Sequence, residues 1–107
     1  MQLCVDVYKI CQHFPSQEKY ALANQMERAV VSISSNISEG ASRSSSLDFA
    51  HFLEISLGSA FELETQLKIA LALQYLSQDE YNNLYEKLGI IQKGIGKFIG
   101  ILKQERQ

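Results

Sequence analysis

The sequence has few residues that break or cross-link a helical chain. Among its 107 residues there are one proline, six glycines, two cysteines and no tryptophan. Cys4 and Cys11 lie seven positions apart, which on a helix separates their Cα atoms by about 10 Å. A disulfide needs a shorter separation, so both cysteines are expected to be small buried residues in a reducing compartment.

An excess of positive charge and a long hydrophobic run are also missing. The formal net charge is −2, whereas proteins that wrap polyphosphate are usually basic. Strong nucleic-acid binding is therefore disfavoured. No apolar run approaches the ~20 residues of a membrane span, and no signal peptide follows Met1. We expect a cytoplasmic protein without a membrane partner.

Patterns for catalysis and metal binding are scarce as well. A serine nucleophile needs a base and an orienting acid, but no G-x-S-x-G elbow occurs and the only histidines are His13 and His51. Helix pairing would allow Ser35 or Asn36 to contact His51, which we interpret as an ordinary hydrogen bond. Asp48 and His51 form one Asp-x-x-His pair without a second pair to complete a dimetal site. We predict no enzyme, cofactor, metal site or small-molecule substrate.

What the sequence does contain is helical periodicity. The first stretch has apolar residues at spacings of four and three: Leu3, Val7, Ile10 and Phe14. Pro15 should end this helix, and Ser16 is a candidate N-cap for the next. The second stretch repeats the pattern with Leu22, Met26, Ala29, Ile33 and Ile37. Gly40 is predicted to lie just past the end of that helix.

Two capping boxes open the remaining stretches. Ser45 with Asp48 precedes a third helix, expected from about Ser46 to Tyr75, and Ser77 with Glu80 precedes the fourth. The apolar face of the third helix is expected to be wide, because additional apolar residues flank its periodic positions: Ile55, Leu57, Phe61 and Ile69. The fourth keeps a regular repeat: Leu84, Leu88, Ile91, Ile95, Phe98 and Leu102.

The arrangement of these stretches predicts the fold. No sustained alternation of period two occurs, and the short connections favour antiparallel neighbours. We therefore predict an all-α, antiparallel up-down-up-down four-helix bundle, with residues 1–107 as a single domain. The serine-rich segment 35–46 is then neither a flexible linker nor a nucleophile elbow. It ends helix two, turns, and caps helix three.

The unequal helix lengths suggest self-association. Helix one spans about 20 Å before Pro15, whereas helix three spans roughly 45 Å, so part of the wide apolar face lacks a partner within the chain. The alternative is that helices two and four wrap more of it. On helix four, Gly89, Gly96 and Gly100 share a face with Lys93, which indicates either close approach of another helix or a frayed C-terminal end.

Two groups of polar residues are candidates for a function. The first is a polar network that would fix the register of helices two and three and extend across a subunit interface: Arg28, Asn36, Glu39, Arg43, Glu62 and Glu64. The second is a local basic patch that would contact RNA or DNA: Arg28, Arg43, Lys93 and Lys97. The alternative for the patch is a solvated helix face whose lysines suit the C-terminal dipole.

Several motifs resemble one known family. The run R-A-V-V-S-I-S-S-N-I-S-E-G-A-S-R, from Arg28 to Arg43, resembles the signature of the four-helix-bundle proteins encoded in intervening sequences of large-subunit ribosomal RNA genes. The matching pieces elsewhere are Phe14-Pro15 with Glu18 and Tyr20, the run Phe52 to Ser59, the run Glu62 to Leu67, and the closing Leu-rich helix. The resemblance covers nearly the whole chain.

The resemblance implies an antiparallel four-helix bundle without an established activity and associated with ring-like pentamers. A related branch, the accessory protein of diversity-generating retroelements, forms a basic barrel that binds nucleic acid and a reverse transcriptase. This chain departs from the pattern because it begins within the first helix and is mildly acidic. We therefore expect a non-enzymatic, homo-oligomeric scaffold or adaptor that forms a ring, with the pentamer as one form of that ring. The alternative is an RNA- or DNA-binding accessory protein.

Overall fold

The computed structural model describes residues 1–18 and 21–105. It contains four α-helices, α1 (Gln2–Cys11), α2 (Leu22–Ala41), α3 (Ser46–Ala72) and α4 (Gln78–Glu105), and a short 3-10 turn at Ser16–Glu18. The described residues form no strand. The predicted all-α four-helix bundle is confirmed. Tyr20, part of the resemblance noted above, lies outside the described residues.

Contacts between the helices define how they are arranged. Helix α3 packs against α2 and α4, and α1 lies against α2 and α4 on the opposite side. The Cys4 thiol donates to Val30 O at 3.5 Å, and the Cys11 thiol lies 3.8 Å from Ala23 O. A residue early in α1 therefore contacts the middle of α2, and a residue at the end of α1 contacts the start of α2. These two helices run antiparallel.

The other neighbouring helices are antiparallel by the same argument. Ser56 Oγ donates to Ile33 O at 2.8 Å, and Gly40 lies against Phe49, so α3 runs opposite to α2. At the far end of α4, Ser46 Oγ donates to Glu105 at 3.0 Å. Helices α3 and α4 therefore also run in opposite directions, since the start of α3 meets the end of α4.

Helix α1 covers only part of the bundle. Its ten residues span about 15 Å, against about 40 Å for the 27 residues of α3. Because Cys4 lies at Val30, α1 begins beside the middle of α2. We call residues 2–11, 22–33, 58–72 and 78–91 the four-helix end, and residues 34–41, 46–57 and 92–105 the three-helix end.

The helix boundaries confirm some sequence predictions and correct others. Asp48 N donates to Ser45 Oγ at 3.1 Å, so the predicted Ser45 cap forms. Glu80 N donates to Ser77 Oγ at 3.1 Å and Ser77 N donates to Glu80 Oε1 at 2.8 Å, so the predicted capping box at Ser77 is complete. The N-cap prediction for Ser16 was wrong: Ser16 begins the 3-10 turn, and α2 starts only after Ala21. Helix α1 also ends earlier than Pro15, and α3 earlier than Tyr75.

The prediction that Gly40 stops helix α2 was wrong for a physical reason. Gly40 is a buried residue inside the helix, and no glycine among the described residues has a positive φ. A Cβ built on Gly40 would lie 2.8 Å from Phe49 Cδ1 and 2.9 Å from Phe52 Cβ. The residue is therefore small because α3 approaches closely, and not because the chain needs left-handed geometry.

None of the helices in the described part of the chain is long and apolar enough to cross a membrane.

Candidate functional site

The predicted pair of Glu39 and Arg43 forms at the three-helix end. Arg43 donates to Glu39 Oε1 at 2.5 Å, and its guanidinium lies 4.7 Å from the ring centroid of Phe52. Both charged side chains are about half exposed, so solvent screens the ion pair and its contribution is small. The contact to Phe52 links the end of α2 to α3.

Asn36 is held within a small polar chain between α2 and α3. Its amide donates to Ser32 O at 2.9 Å and to Ser32 Oγ at 3.1 Å. Ser32 and Ser59 are hydrogen-bonded through their hydroxyls at 2.8 Å. Within residues 1–18 and 21–105, no hydrogen bond joins Asn36 to His51, which instead packs against the Phe52 ring at 5.9 Å.

Glu64 lies on the other side of α3, facing α4. It accepts hydrogen bonds from Gln92 at 2.9 Å and from Lys68 at 3.1 Å. These two donors hold the pKa of the Glu64 carboxyl below its ordinary value. Glu64 therefore ties α3 to α4 and does not face α2, where Arg28 lies.

Arg28 and Glu62 lie on a shallow groove between α2 and α3. The groove has a volume of about 470 Å³ and is lined by Gln25, Arg28, Glu62, Thr65, Gln66 and Ile69. No ion pair within 4.0 Å involves Arg28 or Glu62 in the part of the chain that the structure describes. The six residues of the predicted network therefore lie in four separate places. Two of them, Arg28 and Glu62, line the groove.

Gln66, on the floor of this groove, is a residue that sequence reasoning missed. It is 94% buried, yet its Oε1 has no hydrogen-bond partner among the described residues. Its position offered a signal, because Leu63, Gln66 and Ala70 follow the spacing of the core face of α3. The helical periodicity of α3 places a side chain at this position in the interior of the bundle.

The residues of the predicted basic patch occupy separate places. Lys93 and Lys97 are exposed on α4, and Lys93 lines a second groove with Glu86 and Ile90. Arg28 lies in the α2–α3 groove and Arg43 pairs with Glu39. In the described part of the bundle α2 and α4 are not adjacent helices, so the arginines and the lysines lie on different helices that do not neighbour each other.

The two cysteines differ in burial, and Cys11 is the more enclosed of the two. Cys11 is free and buried, and burial, aided by Glu27, raises the pKa of its thiol to about 12. Such a thiol is a poor nucleophile. The described residues contain no cluster of His, Cys, Asp or Glu that would hold a metal ion.

Comparison with known proteins gives the family and the fold. Residues 1–97 match the 23S rRNA-intervening sequence protein family. The chain is also similar to the crystal structure of a protein of unknown function from the S23 ribosomal protein family of Bacteroides thetaiotaomicron, with a TM-score of 0.85 and 24% identity over 92% of this chain and 89% of that one. No curated protein matches the sequence. Because the family match covers most of the four-helix bundle, this chain belongs to the 23S rRNA-intervening sequence protein family.

Proposed function

We propose that this protein is a non-enzymatic scaffold or adaptor that works as a homo-oligomer, with a ring of subunits as its form. The observation that carries the proposal is the outward face of α3. Large apolar residues on it are between 43% and 53% exposed: Leu47, Ile55, Phe61 and Ile69. Large apolar side chains grouped on one exposed face usually mark an interaction surface, so this face favours cover by another molecule.

The surface of α4 supports the same conclusion. A Cβ placed on Gly89, Gly96 or Gly100 would meet nothing within 4 Å, so no neighbour among the described residues explains why these positions lack side chains. Each glycine costs about 1 kcal/mol in a helix interior relative to alanine. Close approach of a helix from a second subunit would offset that cost by packing against the bare backbone.

The cellular setting of the proposal is the cytoplasm. Cys4 and Cys11 are free, and each thiol lies near a backbone carbonyl of α2. Free cysteines used in this way suit a reducing compartment.

The direct test is the mass of the protein in solution. The chain has a mass of 12.1 kDa, and light scattering at micromolar concentration should give a multiple of it. Phe61→Glu, which places a charge on the outward face of α3, should lower that mass toward the monomer while leaving the helical circular dichroism intact. Ser44→Glu, in the exposed turn before α3, is the control and should keep the wild-type mass. A wild-type monomer would refute the proposal.

The alternative function is binding of RNA or DNA through Arg28, Arg43, Lys93 and Lys97. The separation of these residues and the net charge of −2 favour the scaffold. A gel-shift assay at low salt with mixed RNA and DNA probes should therefore show no complex. A complex that weakens steeply with added salt, and that Lys93→Gln with Lys97→Gln abolishes, would favour the alternative.

A further inference from the structure

The groove between α2 and α3 is lined by Gln66, whose enclosed Oε1 is an unusual polar atom. Two polar side chains of the described residues are buried, Ser56 and Gln66. Ser56 donates to Ile33 O, whereas Gln66 Oε1 is the buried side-chain atom without any partner in the part of the chain that is described. Leaving a buried acceptor unpaired is costly. An acceptor retained at that cost indicates that a hydrogen-bond donor comes from outside the chain.

The walls of the groove carry one charge of each sign. Arg28 stands on α2 and Glu62 on α3, and the described residues give neither an ion-pair partner within 4.0 Å. Ile69, 44% exposed, adds an apolar contact beside them. The groove therefore offers a cation, an anion and an apolar wall, and rotation of the Gln66 amide adds an unpaired acceptor.

We propose that this groove binds a small zwitterion of the α-amino-acid type with an apolar side chain. The carboxylate of the ligand accepts hydrogen bonds from Arg28, and its ammonium group donates to Glu62 and to Gln66 Oε1. The apolar side chain of the ligand packs on Ile69. This ligand leaves both charges of the groove compensated, whereas a nucleotide or another polyanion would place additional negative charge beside Glu62.

The volume of the groove and the rotational freedom of its lining side chains suit a ligand of this kind. A volume of about 470 Å³ lies within the range of small-molecule sites. The amide of Gln66 lines the groove, and rotation about its last torsion, which is soft in glutamine, turns Oε1 toward the ligand. Because Gln25, Arg28, Glu62 and Thr65 are exposed, their side chains can rearrange as the ligand enters.

The experiment is an NMR titration of the isotopically labelled protein with L-leucine up to ~20 mM, a range suited to a millimolar Kd. We expect saturable shifts of the Gln66 side-chain amide and of the Thr65 backbone amide. Leucinamide, which lacks the carboxylate, and 4-methylpentanoate, which lacks the ammonium group, should bind at least about tenfold more weakly. Absence of saturable shifts with leucine, isoleucine and methionine in both the wild type and the Phe61→Glu variant described below would overturn the proposal. Binding of either analogue as tightly as leucine would also overturn it.

Variants separate the binding role of Gln66 from a structural one. Gln66→Met removes the unpaired acceptor from the interior, so it should raise Tm and abolish the leucine-induced shifts. Glu62→Gln and Arg28→Gln should each weaken binding about tenfold or more. Glu86→Gln, an equivalent change in the groove on α4, is the control and should bind as the wild type does. Wild-type affinity in Gln66→Met would contradict the proposal.

The same titration on Phe61→Glu distinguishes this site from the proposed oligomer. The groove is formed by residues of a single chain, so leucine should bind whether or not that variant is monomeric. If leucine binds to Phe61→Glu but not to the wild type, the site is supported and lies beneath the subunit interface. Failure of both proteins to bind would overturn the ligand site and leave the mass measurement as a separate test of self-association.

Discussion

The two ends of the bundle are packed in different ways. At the four-helix end, seven large apolar side chains have no solvent exposure: Val7, Met26, Val30, Ile33, Leu63, Leu67 and Leu84. At the three-helix end, many of the apolar side chains are only half-buried, and aromatic rings are prominent: Ile37, Phe49, Phe52, Leu57 and Ile99. The Phe49 and Phe98 rings meet edge to face at 5.0 Å, although Phe98 is 41% exposed.

The difference shows how a bundle compensates for a short helix. Without α1 beside it, the three-helix end encloses few large aliphatic side chains on all sides, and Leu53 is an exception. It relies instead on the close approach of α2 and α3 at Gly40, on aromatic edge contacts and on exposed ion pairs. We therefore expect the four-helix end to hold most of the stability and the three-helix end to be more tolerant of substitution.

The largest effect should come from truncating matched leucines on α4. Leu84, fully buried at the four-helix end, and Leu102, 5% exposed at the three-helix end, differ in how completely neighbours surround them. Leu84→Ala should lower the free energy of unfolding by about 3–5 kcal/mol, and Leu102→Ala by roughly 2 kcal/mol, because its site opens to solvent and collapses more easily. Urea denaturation measures both values. Equal losses would refute the contrast between the ends.

A smaller effect should come from the close approach at Gly40. Gly40→Ala gains helix propensity, but its Cβ lies within 3 Å of Phe49 and Phe52, so we expect a net loss of about 1–3 kcal/mol. Gly94→Ala is the matched control, since a Cβ there meets nothing within 4 Å. It should stabilise the helix by up to about 1 kcal/mol. Thermal melts compare the Tm of the two variants. A Gly40→Ala variant more stable than the wild type would contradict the prediction, because α3 would then shift at little cost to admit the Cβ.

The smallest effect should come from ion pairs at the two ends. Lys87 donates to Asp6 at 2.5 Å and, with Gln2, holds the pKa of Asp6 below its ordinary value. A carboxyl whose pKa is lower in the folded state stabilises the protein above about pH 4 and loses that contribution as pH falls through its folded pKa. Lys87→Met should therefore cost about 0.5 kcal/mol at pH 7 and little at about pH 3.

The matched pair at the three-helix end is Lys103 and Glu54, both about half exposed at 3.1 Å. Lys103→Met should change the free energy of unfolding by less than Lys87→Met does, because solvent screens this pair more strongly. Urea denaturation at both pH values provides the measurement. A larger cost for Lys103→Met would reverse the expected order of the ends.

Local patterns in the sequence predicted the helices well. The caps at Ser45 and Ser77 form as expected, because a serine hydroxyl reaches the backbone N–H three residues on without help from the rest of the fold. The apolar spacing also selected core residues correctly at Val7, Met26 and Leu84. Such features depend on residues within one or two turns, so a single sequence contains them.

Features that depend on contacts between helices were not predicted correctly. A glycine after an apolar stripe has the appearance of a helix end, yet Gly40 is helical because Phe49 and Phe52 leave no room for a side chain. Pro15 and Ser16 suggested an immediate restart of the helix, whereas a 3-10 turn follows. Neither outcome can be read from neighbours along the chain.

The candidate site was predicted only in part. The predicted polar network grouped Arg28 with Glu62, and these two residues do line one groove. The role of Gln66 did not follow from the sequence, because an amide on a core face is ordinarily paired and only coordinates show that this one is not. Glu64 was grouped with Arg28, but the turn of α3 directs it to Gln92 on α4.

The sequence by itself determined the helical class, the caps and the apolar stripes, because these follow from short-range spacing and hydrogen bonding. It also placed Glu39 four residues before Arg43, which is enough to form their ion pair. Only the tertiary structure decided that α1 covers one half of the bundle and that Gly40 lies against α3. It also decided that Gln66 Oε1 is buried without a partner among the described residues. Each of these depends on the distance between side chains of different helices, which packing alone sets.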